Sequence, residues 1–285
     1  MAKDSTIFRA LVALLWAGTA LLTAATPVNA LAADSESSGK HEYVMGIFPH
    51  LPPRDLENVF APMASDLGSH IGRHVTLRSN TTFERFTENL DKQKFDIAFV
   101  QPFDYVRVAD KYGYRPLATR VEKLAAIVVV KPDSILTNLA SLKAKRIALP
   151  PESSAVSHLF LGQLRANGMD PDRDVKLSRH RSHVSCMQQV IIGEADDCVT
   201  AAPALRFFKE QMHVDLKIIA QSREIPHTLF IVHPRVPKKD RDALRARILS
   251  WDKTEEGKQM LARGQLTPFI SIRDSDYNVV RHLSE

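Results

Sequence analysis

The stretch 180–200, HRSHVSCMQQVIIGEADDCVT, gathers side chains that can do chemistry. It holds Cys186 and Cys198, the only cysteines of the chain, with His180 and His183 just before them. Three chemistries are open to it. The two thiols can form a disulfide, because a helix start at Cys186 and a strand at Cys198 returning beneath it would bring their Cα atoms within bridging range. They can instead stay free and pack as small apolar groups. Or two thiolates with His183 can bind a trivalent metalloid or soft metal, although the spacing follows no standard zinc pattern.

A second candidate is LPPESSAVSH, residues 149–158. Ser153, Ser154 and Ser157 fall at a helix start, where unpaired N–H groups and the positive dipole end favour an anion. A plain N-cap serine fits the same residues. SRHRSHVS, residues 178–185, is another helix start, carrying Arg179, His180, Arg181, Ser182 and His183. These can complete an oxyanion site or form a solvated basic loop. No phosphate-binding GxxxxGK[ST] loop, no G-x-S-x-G elbow and no H-E-x-x-H helix occurs. The sequence therefore gives no support for an enzyme or a cofactor and, the two cysteines with His183 aside, none for a bound metal.

The elements that position these residues alternate between strand and helix. The 285 residues are 44% hydrophobic and 25% charged, with a formal net charge of +5. The basic residues are scattered, which argues against nucleic acid as a partner. Residues 1–32 have the basic start, apolar stretch and small-residue cleavage pattern of a secretory signal peptide, and 33–40 are a polar linker. The mature chain is thus expected outside the cytoplasm, where disulfides persist. EYVMGIF (42–48) is a strand. A helix follows, with Leu56, Val59, Phe60, Met63 and Leu67 at helical spacing and Asp55 as its N-cap. HVTLRS (74–79) is a strand, TFERFTENLDKQ (82–93) a helix and FDIAFV (95–100) a buried strand.

The pattern recurs: RIALPP (146–151), the helix SSAVSHLFLGQLRANG (153–168) with Gly168 as C-cap, DVKLSR (174–179), the helix HVSCMQQVIIG (183–193) and DDCVTA (196–201). The central strands keep step, with Ile97 about as far beyond Met45 as Cys198 is beyond Ile147. Both third strands run into a short proline loop, VQPFDY and TAAPAL. Such alternation predicts two α/β lobes. Residues 41–124 with 230–285 make lobe one and 125–229 lobe two. The runs LAAIVVVKPDSI (124–135) and PHTLFIVHPRV (226–236) connect them. PKKDRDALRARILSWDK and TEEGKQMLARG are helices packed on lobe one. Ligands of open α/β sheets sit at the carboxyl ends of strands. That points to 48–54, 79–83, 101–105, 150–157, 179–185 and 200–203 across an interlobe cleft.

Over roughly 42–283 the chain resembles the periplasmic phosphate/phosphite/phosphonate-binding proteins of ABC transporters. The stretches that carry the resemblance are GIFPHLPPRDLENVFAPMASDL, FDIAFVQPFDYV, SSAVSHLFLGQLRANGMDP, SHVSCMQQVIIGEADDCVT, the Ile-Pro at 225–226 and KTEEGKQMLARGQLTPF, in that order. It implies a type II periplasmic-binding fold: two lobes, each a mainly parallel sheet flanked by helices, joined by two crossing hinge strands. It also implies an oxyanion held by Ser153, Ser154 and His183. Phe83 falls where the phosphonate binder has a tyrosine. Tyr105 matches the aromatic of a G-P-x-x-Y-like loop in which Gln101 replaces the glycine. His50 and His227 lie in loops near the cleft. The family's Ser-Thr-Ser-Gly-like run is here Ser-Ser-Ala-Val, so one hydroxyl is lost unless Ser157 supplies it. The implied role is that of a monomer that delivers a small oxyanion to an ABC transporter permease. The alternative is a periplasmic sensor of an oxyanion or of a metalloid such as arsenite, signalling to a membrane sensor kinase.

Overall fold

In lobe one the chain runs β1 (Tyr43–Ile47), α1 (Pro53–Ile71), β2 (Val75–Arg78), α2 (Phe83–Asp91), β3 (Ile97–Val100), α3 (Pro102–Tyr112) and β4 (Arg115–Arg120). It crosses on β5 (Lys123–Leu124) and builds lobe two from β6 (Ile127–Val130), β7 (Arg146–Leu149), α4 (Ala155–Ala166), β8 (Lys176–Arg179), α5 (His183–Ile192), β9 (Asp197–Thr200), α6 (Ala202–Met212) and β10 (Lys217–Gln221). It returns on β11 (Ile225–Pro226) and ends with β12 (Leu229–Val232), α7 (Lys238–Ile248), α8 (Glu255–Arg263), β13 (Phe269–Ile270) and α9 (Asn278–Ser284). This computed structural model describes residues 42–284. The expected signal peptide and linker lie outside the described residues.

The lobes share one plan. In each, the first strand is flanked in parallel by the second and third: β2-β1-β3 and β8-β7-β9. Antiparallel strands complete the sheets, in the orders β13-β4-β12-β3-β1-β2 and β10-β6-β9-β7-β8. β3 and β9 are buried at every residue, as apolar strands covered on both faces must be. Each lobe ties its third strand to its first through an aspartate. Asp96 accepts the Val44 N–H and Asp196 the Arg146 N–H, both at 2.8 Å. β5 and β11 pair with each other, Leu124 opposite Ile225, so the chain crosses between lobes on a two-stranded hinge.

Several expected details shift. α1 starts at Pro53 with Pro52 before it, so Asp55 is not the N-cap but a first-turn acid. Proline suits that start because it needs no helical N–H partner. α4 ends at Ala166 with Asn167 as its cap, and Gly168 follows in the left-handed region at φ 76°, its usual place just past a cap. The two expected proline loops are helix starts, because Pro102 and Pro203 stand in the first turns of α3 and α6. The run 124–135 does more than connect: after the hinge strand it supplies β6, inside the second sheet.

The C-terminal segment is fastened to lobe one by Trp251. Its ring meets Phe230 and Phe269 at centroid distances of 5.7 and 5.9 Å. Its Nε1 donates to Asp66 at 2.8 Å, and Asp66 also takes the Arg247 guanidinium. α7 and α8 accordingly pack on α1. No helix among the described residues is long and apolar enough to cross a membrane.

Candidate functional site

A cavity of about 1450 Å³ opens between the lobes at the carboxyl ends of the parallel strands. Lobe two gives it a polar wall. Ser154 is 1% exposed and precedes α4, yet its side chain makes no capping bond to the helix. The hydroxyl is therefore not used by the helix itself. The Ser153 hydroxyl is buried without a hydrogen-bond partner, and Ser153, expected as a ligand residue, is not among the residues that line the cavity. The Ala155 N–H, in the first turn of α4, donates 2.9 Å to Gln101 Oε1, while Gln101 Nε2 donates 3.2 Å to the Ser153 carbonyl. Gln101 thus reaches from the end of β3, and a neutral carbonyl occupies an acceptor's place at the α4 terminus. Ser157 behaves differently from its expected ligand role. It is fully buried, lies off the cavity and donates to the Pro150 and Pro151 carbonyls at 3.3 and 3.1 Å.

His183 opens α5 and lines the cavity. Its Nδ1 lies 2.9 Å from Thr200 Oγ1, which fixes the ring from β9. Burial pushes its pKa down to about 4. The Ser182 hydroxyl is engaged in a capping box with Ser185, which frees His183 as the donor of that helix start. Arg179 and Arg181 stand at the rim.

Lobe one gives an aromatic wall. Phe48, Phe83 and Phe99 line the cavity, and the His50 ring stacks on Phe48 with centroids 4.4 Å apart. Phe83 opens α2 as His183 opens α5, so equivalent helix starts line the same cavity with opposite chemistry. Asn80 lines the cavity with its Nδ2 unpartnered, while its Oδ1 accepts from Asn89 at 2.6 Å. Tyr105 does not reach the cleft as expected. The phase of α3 turns it away to donate to Asp274 and to pack edge-on against Tyr277, 4.9 Å between centroids.

The hinge side carries Arg120 and His227. Arg120 ends β4, is 5% exposed and lines the cavity; it pairs with Glu122 and donates to Thr267 Oγ1 at 3.3 Å. Burial pushes its pKa down to about 10, a measure of how far the guanidinium is desolvated. His227 follows β11. Its Nδ1 accepts the Thr228 N–H at 2.7 Å, so Nε2 carries the proton, 3.5 Å from Glu122 but without hydrogen-bond geometry. Burial, then the charges of Arg120, His50 and Arg206, hold His227 neutral well below its usual range. Local pattern did not single out Arg120, Thr200 or Asn80, and noted His227 only as near the cleft. Asn80 and Thr200 lay within segments expected there, and Arg120 was hidden because Pro116 makes β4 read poorly as a strand.

Cys186 and Cys198 are bonded to each other, with Cα atoms 5.8 Å apart. Cys186 is in the first turns of α5 and Cys198 precedes Val199 and Thr200 in β9; both are fully buried and neither lines the cavity. The bond braces the pair that presents His183, and it leaves no thiolate for a metalloid or soft metal. No group of three or more His, Cys, Asp or Glu side chains among the described residues is placed to hold a metal.

One pH effect follows. His50 and His183 are each pushed down to about 4, first by burial. The unfolded chain takes up those protons near pH ~6.5, the folded chain only near pH 4. The ligand-free protein should therefore hold its stability above pH ~6.5 and lose it progressively as the pH falls toward 4. Denaturant melts across that range should show the decline, reduced in a His50→Gln, His183→Gln variant. A flat profile contradicts the assignment.

The family model described as ABC transporter, phosphonate, periplasmic substrate-binding protein matches residues 45–277. No curated protein matches the sequence significantly. Among solved structures, the binding-protein component of an ABC phosphonate transporter from Pseudomonas aeruginosa is similar at 18% identity, TM-score 0.75, covering 86% of each chain. PhnD1 from Prochlorococcus marinus, in complex with methylphosphonate, is similar at 14% identity, TM-score 0.78, covering 85% of this chain and 97% of that one. The periplasmic aliphatic sulphonate binding protein of Escherichia coli is similar at 12% identity, TM-score 0.63, covering 85% and 90%. At these identities the likeness is one of fold.

Proposed function

Because the chain belongs to the periplasmic substrate-binding proteins of phosphonate ABC transporters, we propose that its cleft captures a small phosphonate- or phosphate-like oxyanion and hands it to a membrane permease. One observation carries this reading. The starts of α4 and α5 present the Ala155 N–H, Ser154 and His183 toward one cavity, and a buried guanidinium, Arg120, stands at its hinge side. Helix N-termini and an unspent hydroxyl suit the several acceptors of a tetrahedral oxyanion.

The anion's oxygens take the place of Gln101 Oε1 at α4. Gln101 and His50 then face it from lobe one. The aromatic wall of Phe48, Phe83 and Phe99 packs against any organic substituent and keeps water from the charged pairs, which strengthens them. The two hinge strands let one monomer open and close around the ligand.

Calorimetric titration with methylphosphonate, phosphate, phosphite, sulfate, arsenite and methanesulfonate tests the proposal. Phosphonate-like anions should bind, and Ser154→Ala should weaken them by about 1 kcal/mol or more, the loss of one donor to a charged group. No binding by any of them, or equal binding by the Ser154 variant, rejects the assigned site.

A further inference from the structure

We propose that His50 holds the bound anion as an imidazolium, so that the cleft takes up a proton at His50 Nε2 when its ligand enters. The inference rests on the oxyanion reading above and concerns how that same site meets the charge.

The tautomer is set by the backbone. His50 Nδ1 lies 3.0 Å from the Phe48 carbonyl, which can only accept, so Nδ1 carries a proton. Neutral His50 therefore turns a bare Nε2 lone pair to the cavity it lines, and no described residue hydrogen-bonds to that atom. A lone pair repels an anion. His227 has the opposite tautomer and can donate from Nε2 while neutral. His50 can donate there only by gaining a second proton, which solvent supplies.

The surroundings hold that proton off until an anion arrives. The titratable groups acting on His50 are Arg120 at the end of β4, His183 at the start of α5 and His227 after β11. The carboxylates that line the same cavity are Asp55, Glu84 and Glu152, and none of them is among the charges that shift the ring. In the empty cleft, burial first and then Arg120 and His183 keep the ring neutral, at about 4. An entering anion reverses the sign of the local field and gives Nε2–H an acceptor, both of which favour the charged ring. The rings around it tolerate the charge. Phe48 is stacked beneath His50, while Phe60 and Phe99 lie 5.9 and 6.1 Å away between centroids. A cation over an aromatic face is attracted by its quadrupole.

Nitrogen-15 NMR of the imidazole rings decides the matter, using the whole mature protein with and without saturating methylphosphonate at neutral pH. The His50 signals are assigned through their contact with the Phe48 ring and by their loss in His50→Gln. The expected result is a ring protonated only at Nδ1 in the free protein and at both nitrogens in the complex. His50→Gln should also bind methylphosphonate about tenfold more weakly or worse, the loss of a charge-assisted bond. Binding with a neutral His50 overturns this inference and leaves the oxyanion reading standing, as does wild-type affinity in His50→Gln. Failure of methylphosphonate to bind at all overturns both.

Discussion

Replacing Arg120 with Met should weaken oxyanion binding by about 2–3 kcal/mol, roughly 30- to 150-fold. Arg120 is the buried cation of the cleft, and a charged donor to an anion out of water contributes about that much. Met keeps the packing of the aliphatic stem and removes only the head. The loss is compounded at Glu122. With Arg120 gone, that carboxylate keeps Arg206 at 3.7 Å and the neutral His227 ring at 3.5 Å, and its charge beside the cleft is no longer offset by Arg120. Arg120→Lys restores the charge but not the fork that serves Thr267, the Gln265 carbonyl and Glu122 together, so it should fall between the two. Calorimetry reads both variants. An Arg120→Met protein that binds within about twofold of the wild type removes Arg120 from the site.

Removing the disulfide is the second large effect, and it should separate stability from recognition. For a loop as short as Cys186–Cys198, loop closure predicts a loss of about 3 kcal/mol in a Cys186→Ala, Cys198→Ala variant. Both cysteines are fully buried and face away from the cavity. The donors of α4 are untouched, so oxyanion affinity should change far less than stability does. Denaturant unfolding measures the first quantity and calorimetry the second. A thiol assay of the purified protein gives the simplest check: no free thiol is expected. Two free thiols, or a stability loss well under about 1 kcal/mol, would remove the brace behind His183.

The sequence made the repeating plan legible because it is written in local periodicity. Parallel strands with a helix between them return at a fixed interval. The expected step from Met45 to Ile97 is a register pair of the sheet. The parallel step from Ile147 to Cys198 is off by one residue, since Cys198 pairs with Ala148. The helix starts at Ser154 and Ser182 were readable from hydroxyl residues before an apolar run. Their neighbours were harder. Ser157 was expected in the cleft from its place at a helix start and Tyr105 from the family resemblance, but one turn of helix carries each to another face. β10 and β13 escaped notice because β10 is largely exposed, without alternation, and β13 is two residues long. Arg120 and His227 gain their meaning from the pairing of β5 with β11, a contact between distant segments that no local pattern encodes.

The most direct measurement is the crystal structure of the protein with methylphosphonate. The account predicts phosphonate oxygens at hydrogen-bond distance from Ser154, the Ala155 N–H and His183, with Gln101 Oε1 moved off the α4 terminus. An anion seated elsewhere, or a cleft in which Gln101 still holds Ala155 with the ligand bound, would contradict it.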